Sequence, residues 1–153
     1  MPYVTRIADL KLAAALAETS GDRAVLVADT IVWHDHGPPI GKPNSREHAA
    51  EILVQLSEGA PHNVSTAWKL ARPDGSVHAE VETSRVFMRP FVEGELARYL
   101  ATDEWRDKAG GYGIQGTAAA FVTRVEGSYT NVVGLPLAQV VAALGGLGEQ
   151  WPP

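Results

Sequence analysis

The chain has 153 residues, and its shares of hydrophobic (45%) and charged (20%) residues are those of one soluble globular domain. The net charge of −5 argues against a broad nucleic-acid or lipid-binding face, but it allows a small cationic pocket for one anionic ligand. The chain has no cysteine, which excludes disulfides, thiolate zinc sites and a catalytic thiol. It shows no signal-peptide core and no apolar run near the ~20 residues of a membrane span, so we expect a soluble, cytoplasmic protein.

Helical and strand patterns alternate along the chain. Apolar residues at helical spacing predict a helix over 3–19, and the valine-rich run 24–32 predicts a strand covered on both faces. Asn44, with Glu47 three residues later, predicts the start of a second helix. The remaining predicted elements are a hairpin of strands 62–71 and 77–88, a helix in 92–102, an irregular loop at 107–116, a strand at 118–127, a short strand or turn at 131–136 and a helix over 137–147.

This order of elements predicts an α/β fold with a mixed sheet and flanking helices. We find no linker, repeat or low-complexity tract in the sequence, which favours a single domain over residues 1–153. Residues 148–153 are predicted to be a frayed tail.

Five polar residues stand out because their local sequence does not explain them. Asp29 and Thr30 follow an apolar strand, where open α/β sheets bind ligands, although a turn-capping role for Asp29 is an equal alternative. Lys42 precedes a helix and can reach a phosphate there, or else it faces solvent. Lys108 and Gln115 belong to the glycine-rich stretch DKAGGYGIQG, in which the backbone can approach a ligand and an amide can read a base edge. The alternative for this stretch is a tight loop whose lysine faces water.

Two further features have weaker functional interpretations. His34, Asp35 and His36 have the composition of a metal site, but the surrounding Gly/Pro-rich turn favours an ordinary surface segment. Tyr112 and the four tryptophans could stack on a base, although aromatic residues more often pack in a core or a cleft.

Five segments follow one another along the chain: VADT, GKP, AAEILVQLSEGAPHNVSTAWKL, TDEWRDKAGGYGIQG and VEGSYTNVVGLP. Taken together and in this order, they resemble the Maf family of nucleoside triphosphate pyrophosphatases. The most specific pieces are ADT followed by KP, and DKAGGYGIQG. Within the family, ADT with YGIQG is similar to the dTTP/UTP branch rather than to the 7-methyl-GTP branch.

The resemblance implies a mixed α/β sheet with a cleft between two lobes. It also implies hydrolysis of a nucleoside triphosphate at the α–β bond, with a divalent cation, Mg²⁺ or in its place Mn²⁺. A homodimer is an open alternative to a monomer. For Asp29 the resemblance implies a general base or a metal-organising carboxylate. It implies pyrimidine selection by Thr30 and Gln115, and binding of the triphosphate by Lys42 and Lys108. Lys11 matches the lysine of the family's R-L-A-x-x-K helix.

The sequence departs from the family pattern at its start. Family members open with a strand and an S-x-S-P-R-R loop some forty residues before the R-L-A-x-x-K helix, whereas this sequence begins at MPYVTRIADLK, with Leu10 where the family usually has an acidic residue. We therefore expect the first strand and its phosphate loop to be missing, through a start assigned too late, a shortened chain or a truncated paralogue. The alternative function is a non-catalytic relative that binds a nucleotide or a cell-division partner.

Overall fold

The structure is a computed structural model that describes residues 2–35 and 37–145. His36 and the predicted tail 148–153 lie outside the described residues. The helices are α1 (Pro2–Glu18), α2 (Arg46–Glu58), α3 (Glu95–Leu100), α4 (Tyr129–Val133) and α5 (Leu137–Gly145), and the strands are β1 (Val25–Trp33), β2 (His62–Ala71), β3 (Val77–Met88) and β4 (Val122–Glu126). Among the described helices, none is long and apolar enough to cross a membrane.

The strands form one sheet in the order β1-β2-β3-β4. The predicted α/β class with flanking helices is confirmed, but every pairing among the described strands is antiparallel rather than mixed. The order of helices and strands along a sequence does not fix the direction in which a strand pairs, so the sequence could not supply this detail. The register places Asp29 opposite Ala67 and Thr30 opposite Thr66.

The two faces of the sheet pack against different helices, because successive strand residues point to opposite faces. On one face, Ile31 and Ala67 pack against Val4 and Ala8 of α1. On the other face lies the main core, which includes Val32 of β1, Val64 of β2, Val86 of β3, and Leu53 and Leu56 of α2. Asp29 therefore belongs to the α1 face of β1, and Thr30 belongs to the face of the main core.

Three local predictions differ from the structure. Helix α2 is capped by Ser45, whose hydroxyl accepts from the His48 backbone N–H at 3.0 Å, while Asn44 bonds the His48 ring instead. The predicted strand 118–127 is shorter, since residues 117–121 form a 3-10 helix and only β4 pairs with β3. The predicted strand or turn at 131–136 begins within helix α4, which Ser128 caps by accepting from the Asn131 N–H.

Candidate active site

Asp29 is held by an ion pair with α1. The Lys11 ammonium donates to Asp29 Oδ1 at 2.8 Å and to the Ala28 carbonyl at 2.9 Å. The Asp29 side chain is 20% exposed and that of Lys11 is 49% exposed, so the pair lies at the protein surface rather than in the core. The other carboxylate oxygen of Asp29 has no hydrogen-bond partner within the described part of the chain. One oxygen is thus oriented by the protein, and the other is available.

Thr30 is tied to a different set of groups on the opposite face of β1. Its hydroxyl lies 2.8 Å from the hydroxyl of Thr66 and 3.4 Å from the Gly134 carbonyl. Thr66 is fully buried and donates to the Asn131 carbonyl at 3.2 Å. The Asn131 side chain is also fully buried and donates to the Val64 carbonyl and to the Ser84 hydroxyl. This network attaches α4 and the following turn to the sheet beside Thr30.

Two loops complete the site, and a backbone hydrogen bond joins them. The Gly110 N–H donates to the Gly41 carbonyl at 3.1 Å, which brings the segments of Lys42 and Lys108 together. Gly110 has a φ of +74°, and a Cβ there would lie 3.3 Å from the side chains of Val32 and Leu56. Gly111, with a φ of +70°, is also buried. These two glycines therefore allow close packing on the core, and Gly113 is the loop glycine that lies beside Lys108.

The same loop is anchored by two tyrosines. The Tyr112 hydroxyl lies 2.7 Å from Nε2 of the buried His62, and the Tyr99 hydroxyl donates to the Gly111 carbonyl at 3.1 Å. Burial, with a smaller contribution from His34, lowers the pKa of His62 from 6.5 to about 4. Burial also raises the pKa of the Tyr112 phenol, so both partners are neutral at physiological pH. Tyr112 is a core residue rather than an exposed stacking platform.

Three adjoining cavities surround these groups. The residues that line the central cavity, of about 260 Å³, include Thr30, Lys42, Lys108, Gln115, Val132 and Gly134. The α1-side cavity, of about 560 Å³, contains Asp29 and shares Thr30 and Lys42 with the central cavity. The outer cavity, of about 430 Å³, shares Lys108 and Gln115 with it. The structure thus places five of the six predicted site residues around one cleft, and it places Lys11 against Asp29.

The side chains of Lys42, Lys108 and Gln115 have no hydrogen-bond or ion-pair partner among the described residues. All three are exposed. Two lysines without protein partners make this wall of the cleft suitable for an anion, although the chain as a whole is acidic.

Two features of the cleft were not among the predicted site residues. Asp107 lies on the wall of the central cavity and has a φ of +59°, a conformation that Asp and Asn adopt more readily than most residues. Its position beside Lys108 in the glycine-rich loop could have indicated it. The Thr66–Asn131 network was also missed, because no local pattern relates a mid-strand threonine to an asparagine 65 residues away.

The alternative metal site at 34–36 gains no support from the structure. Within the described residues, no group of three or more His, Asp or Glu side chains could hold a metal ion, and His36 lies outside them. Asp35 accepts from the Asn63 amide at 2.7 Å, which gives it a structural partner. Trp68 and Trp105 are buried in the protein, as their packing interpretation predicted.

Comparison with known proteins identifies the family. The family model described as Maf-like protein matches residues 1–147. A dTTP/UTP pyrophosphatase of Pectobacterium atrosepticum is 47% identical over 137 residues, which are 90% of this chain and 68% of that protein. The dTTP/UTP pyrophosphatase of Thermus thermophilus is 47% identical over 137 residues, 87% of this chain and 72% of the relative. That of Escherichia coli is 44% identical over 142 residues, 93% of this chain and 71% of the relative. The resemblance read from the motifs is confirmed, and the chain belongs to the Maf family.

Proposed function

We propose that this chain is a nucleoside triphosphate pyrophosphatase that hydrolyses dTTP and UTP, or modified pyrimidine nucleotides, to the monophosphate and pyrophosphate. The names of its relatives support the reaction and the substrates. The observation that carries the proposal is the arrangement of the cleft. Asp29, with one carboxylate oxygen free of partners among the described residues, lines a cavity together with Lys42, and the adjoining cavity is lined by Lys42 and Lys108, whose ammonium groups likewise have no partner there.

The charges of the cleft suit a triphosphate. A nucleoside triphosphate carries several negative charges, and the departing pyrophosphate carries more charge than it did before the α–β bond broke. Lys42 and Lys108 would neutralise this charge, because lysine acts as a mobile point charge toward phosphate. Gln115, at the rim shared by the central and outer cavities, would hydrogen-bond the base with its amide.

Asp29 is the residue that we assign to the attacking water. Lys11 fixes one carboxylate oxygen, so the other can accept a hydrogen bond from water and orient it toward the α-phosphorus. The oxygen of that water forms the new bond to phosphorus, the bond to the bridging oxygen breaks, and the electron pair leaves with pyrophosphate. The proton that the water loses passes to the Asp29 carboxylate, which acts as the general base and releases it to solvent after pyrophosphate has left.

The residues fit a divalent cation that arrives with the nucleotide. Magnesium is often bound by one or two carboxylates together with substrate phosphates, and Asp29 has one oxygen free of protein partners in the described chain. When bound, the ion would withdraw charge from the phosphates. We propose Mg²⁺, with Mn²⁺ as a substitute.

Three coarser expectations stay proposals alongside this function. We propose that residues 1–153 form a single domain and that the chain is a monomer, with a homodimer as the alternative. We propose the cytoplasm as its compartment, because the nucleotide pool there holds the proposed substrates. Neither a membrane nor a nucleic-acid polymer is among the proposed partners.

The test is product analysis with the purified chain, MgCl₂ and UTP or dTTP. We expect equal amounts of pyrophosphate and monophosphate, resolved by phosphorus NMR, and no orthophosphate unless an inorganic pyrophosphatase is added. Asp29→Asn is the inactive control. Release of orthophosphate and a diphosphate, or no turnover above buffer at high enzyme concentration, would contradict the proposal.

The rival is a non-catalytic nucleotide-binding relative. Calorimetric titration with a UTP analogue that cannot be cleaved between the α- and β-phosphates distinguishes this relative from the proposed enzyme. Binding of the analogue without hydrolysis of UTP would favour the rival. Binding together with hydrolysis would exclude it.

A further inference from the structure

Asp107 is a carboxylate in a cavity whose other charged groups are lysines. It lines the central cavity together with Lys42 and Lys108, and its side chain is exposed. Within the described part of the chain, no hydrogen bond or ion pair holds its carboxylate, so neither lysine neutralises it. A negative charge at this place repels the phosphates that the lysines attract. The carboxylate therefore suits a part of the ligand that is not anionic and that can donate a hydrogen bond.

The backbone of Asp107 adopts a conformation that a glycine would fit better. The Lys108 N–H donates to the Trp105 carbonyl at 3.4 Å and closes a tight turn, in which Asp107 is the third residue with a φ of +59°. A positive φ at the third residue of a turn favours glycine, because a Cβ crowds the backbone there. The sequence thus places a carboxylate on the cavity wall at a cost to stability, which points to a use for the side chain.

The other polar side chains of the central cavity already have a partner or a proposed task. The hydroxyls of Thr30 and Tyr112 lie 2.8 and 2.7 Å from their protein partners. The two lysines are assigned above to the phosphates, and Gln115 is assigned to the base. The sugar of a nucleotide joins these two parts, so it lies between the groups that hold them. Among the described residues of this wall, Asp107 is the polar side chain that remains for it.

We infer that Asp107 binds the sugar of the nucleotide, and that its carboxylate accepts a hydrogen bond from the ribose 3′-hydroxyl. This inference rests on the proposed function. The 3′-hydroxyl is the sugar donor that UTP and dTTP share, whereas only UTP has a 2′-hydroxyl. A sugar hydroxyl is a neutral donor, and hydrogen bonds to an ionised acceptor are stronger than those between neutral groups. The carboxylate thereby favours the sugar over the phosphates at this point of the cavity.

The test removes the carboxylate and the hydroxyl separately and together. Asp107→Gly removes the carboxylate and relieves the positive φ, so the variant should melt no lower than wild type. Asp103→Gly is the matched control, because Asp103 has a φ of +58° but pairs with Arg106 and lines the outer cavity rather than the central one. Each protein is assayed with UTP and with 3′-deoxy-UTP.

We expect wild type to prefer UTP over 3′-deoxy-UTP by about tenfold or more in kcat/KM. The preference should fall close to one in Asp107→Gly and stay at the wild-type value in Asp103→Gly. A preference that persists in Asp107→Gly would overturn the inference. If the glycine variant does not fold, Asp107→Asn replaces it, because asparagine also tolerates a positive φ and its neutral oxygen accepts more weakly.

Two other roles for Asp107 would give different results. A carboxylate that held the divalent cation would, when removed, reduce turnover of both nucleotides equally, and a higher Mg²⁺ concentration would restore it. A purely structural carboxylate would, when removed, lower the melting temperature and again affect both nucleotides equally. Either result would overturn the inference. Wild-type enzyme that hydrolyses both nucleotides equally would also overturn it and leave the proposed function intact.

Binding measured without chemistry gives a second readout. Calorimetric titration with the α,β-methylene analogues of UTP and 3′-deoxy-UTP should show a Kd about tenfold or more lower for the analogue that has the 3′-hydroxyl, and Asp107→Gly should remove this difference. Absence of UTP hydrolysis would contradict the proposed function, and the two Kd values would still decide the inference. Equal Kd values in wild type, or binding of neither analogue, would overturn it.

Discussion

Strand β1 and the loop 107–116 face the same cleft, but they are held in opposite ways. In β1 the functional side chains themselves are tied, Asp29 to Lys11 and Thr30 to Thr66. In the loop the backbone is tied through the Gly110 N–H and the Gly111 carbonyl, while the side chains of Lys108 and Gln115 have no partner among the described residues.

This difference matches two different tasks. A group that orients water or reads a base needs a fixed direction, and a hydrogen bond to another side chain supplies one. A lysine that neutralises a phosphate needs reach more than direction, and its long stem gives it reach from an anchored loop. Substitutions in β1 should therefore affect catalysis, and substitutions in the loop should affect its packing or substrate affinity; the largest expected effect comes first.

Replacing Asp29, whose carboxylate is held by Lys11, should have the largest effect on activity. Asp29→Asn keeps the shape of the side chain but removes its charge and its ability to accept a proton, so we expect kcat to fall about 10³-fold. The measurement is pyrophosphate release from UTP at saturating Mg²⁺. Asp9→Asn is the control, because Asp9 pairs with Lys69 outside the cleft. An equal loss in both variants would mean that the effect is structural.

The buried His62, which anchors the loop 107–116 through Tyr112, should make the free energy of unfolding depend on pH. The folded-state pKa of His62 lies near 4, below its ordinary value of 6.5, so the unfolded chain binds more protons between these values. Stability is therefore full above pH 6.5 and should fall by about 3 kcal/mol as the pH drops toward 4, since each pH unit is worth about 1.4 kcal/mol.

His62→Gln should reduce this dependence, because an amide does not titrate but can still meet the Tyr112 hydroxyl. Urea unfolding at several pH values measures the difference between the two proteins. Glu95, whose pKa is lowered from 4.5 to about 2 by hydrogen bonds from Arg89, loses its contribution as the pH falls from 4.5 toward 2, which is mostly below the range of His62. Parallel curves for wild type and variant between pH 6.5 and 4 would show that His62 is not the cause.

The packing of the loop backbone can be tested at Gly110. An alanine there would have both a left-handed φ of +74° and a Cβ 3.3 Å from Val32 and Leu56, so we expect about 2–3 kcal/mol of destabilisation. Gly75→Ala is the matched control, because Gly75 has a φ of +83° but open space around it. That variant should cost about 1 kcal/mol. Equal costs in urea unfolding would remove the argument for close packing.

Replacing Lys108 in the loop should have the smallest effect on activity, and it should change KM rather than kcat. Lys108→Gln removes one positive charge from the phosphate wall, so we expect KM for UTP to rise about tenfold and kcat to change little. Arg124→Gln is the control, because this exposed arginine pairs with Glu126 on β4. A fall in kcat as large as that of Asp29→Asn would break the division between the two regions.

Much of the framework could be predicted from the sequence, because local patterns dictate it. Helix α1, the strand around Asp29 and the hairpin of β2 and β3 follow from apolar periodicity and from the turn sequence RPDG. The motifs ADT, GKP and DKAGGYGIQG identified the family and five of the six candidate residues, and Lys11 came from the match of RIADLK to the family's R-L-A-x-x-K helix. Helix α4 was missed, because NVVGLP has a strand-like composition while its helix depends on the Ser128 cap and on contacts of Asn131 with the sheet.

The sequence by itself determined which chemical groups this protein has and roughly where its strands and helices begin. Only the tertiary structure decided how those groups are used. The pleat of β1 separates Asp29 from Thr30, and the pairing of β1 with β2 sets Thr66 behind Thr30. Two of the loop glycines proved to pack against the core, which leaves the ligand contacts to the side chains beside them. Hydrogen-bond direction and close packing depend on atoms that are far apart in the chain, so no local pattern can encode them.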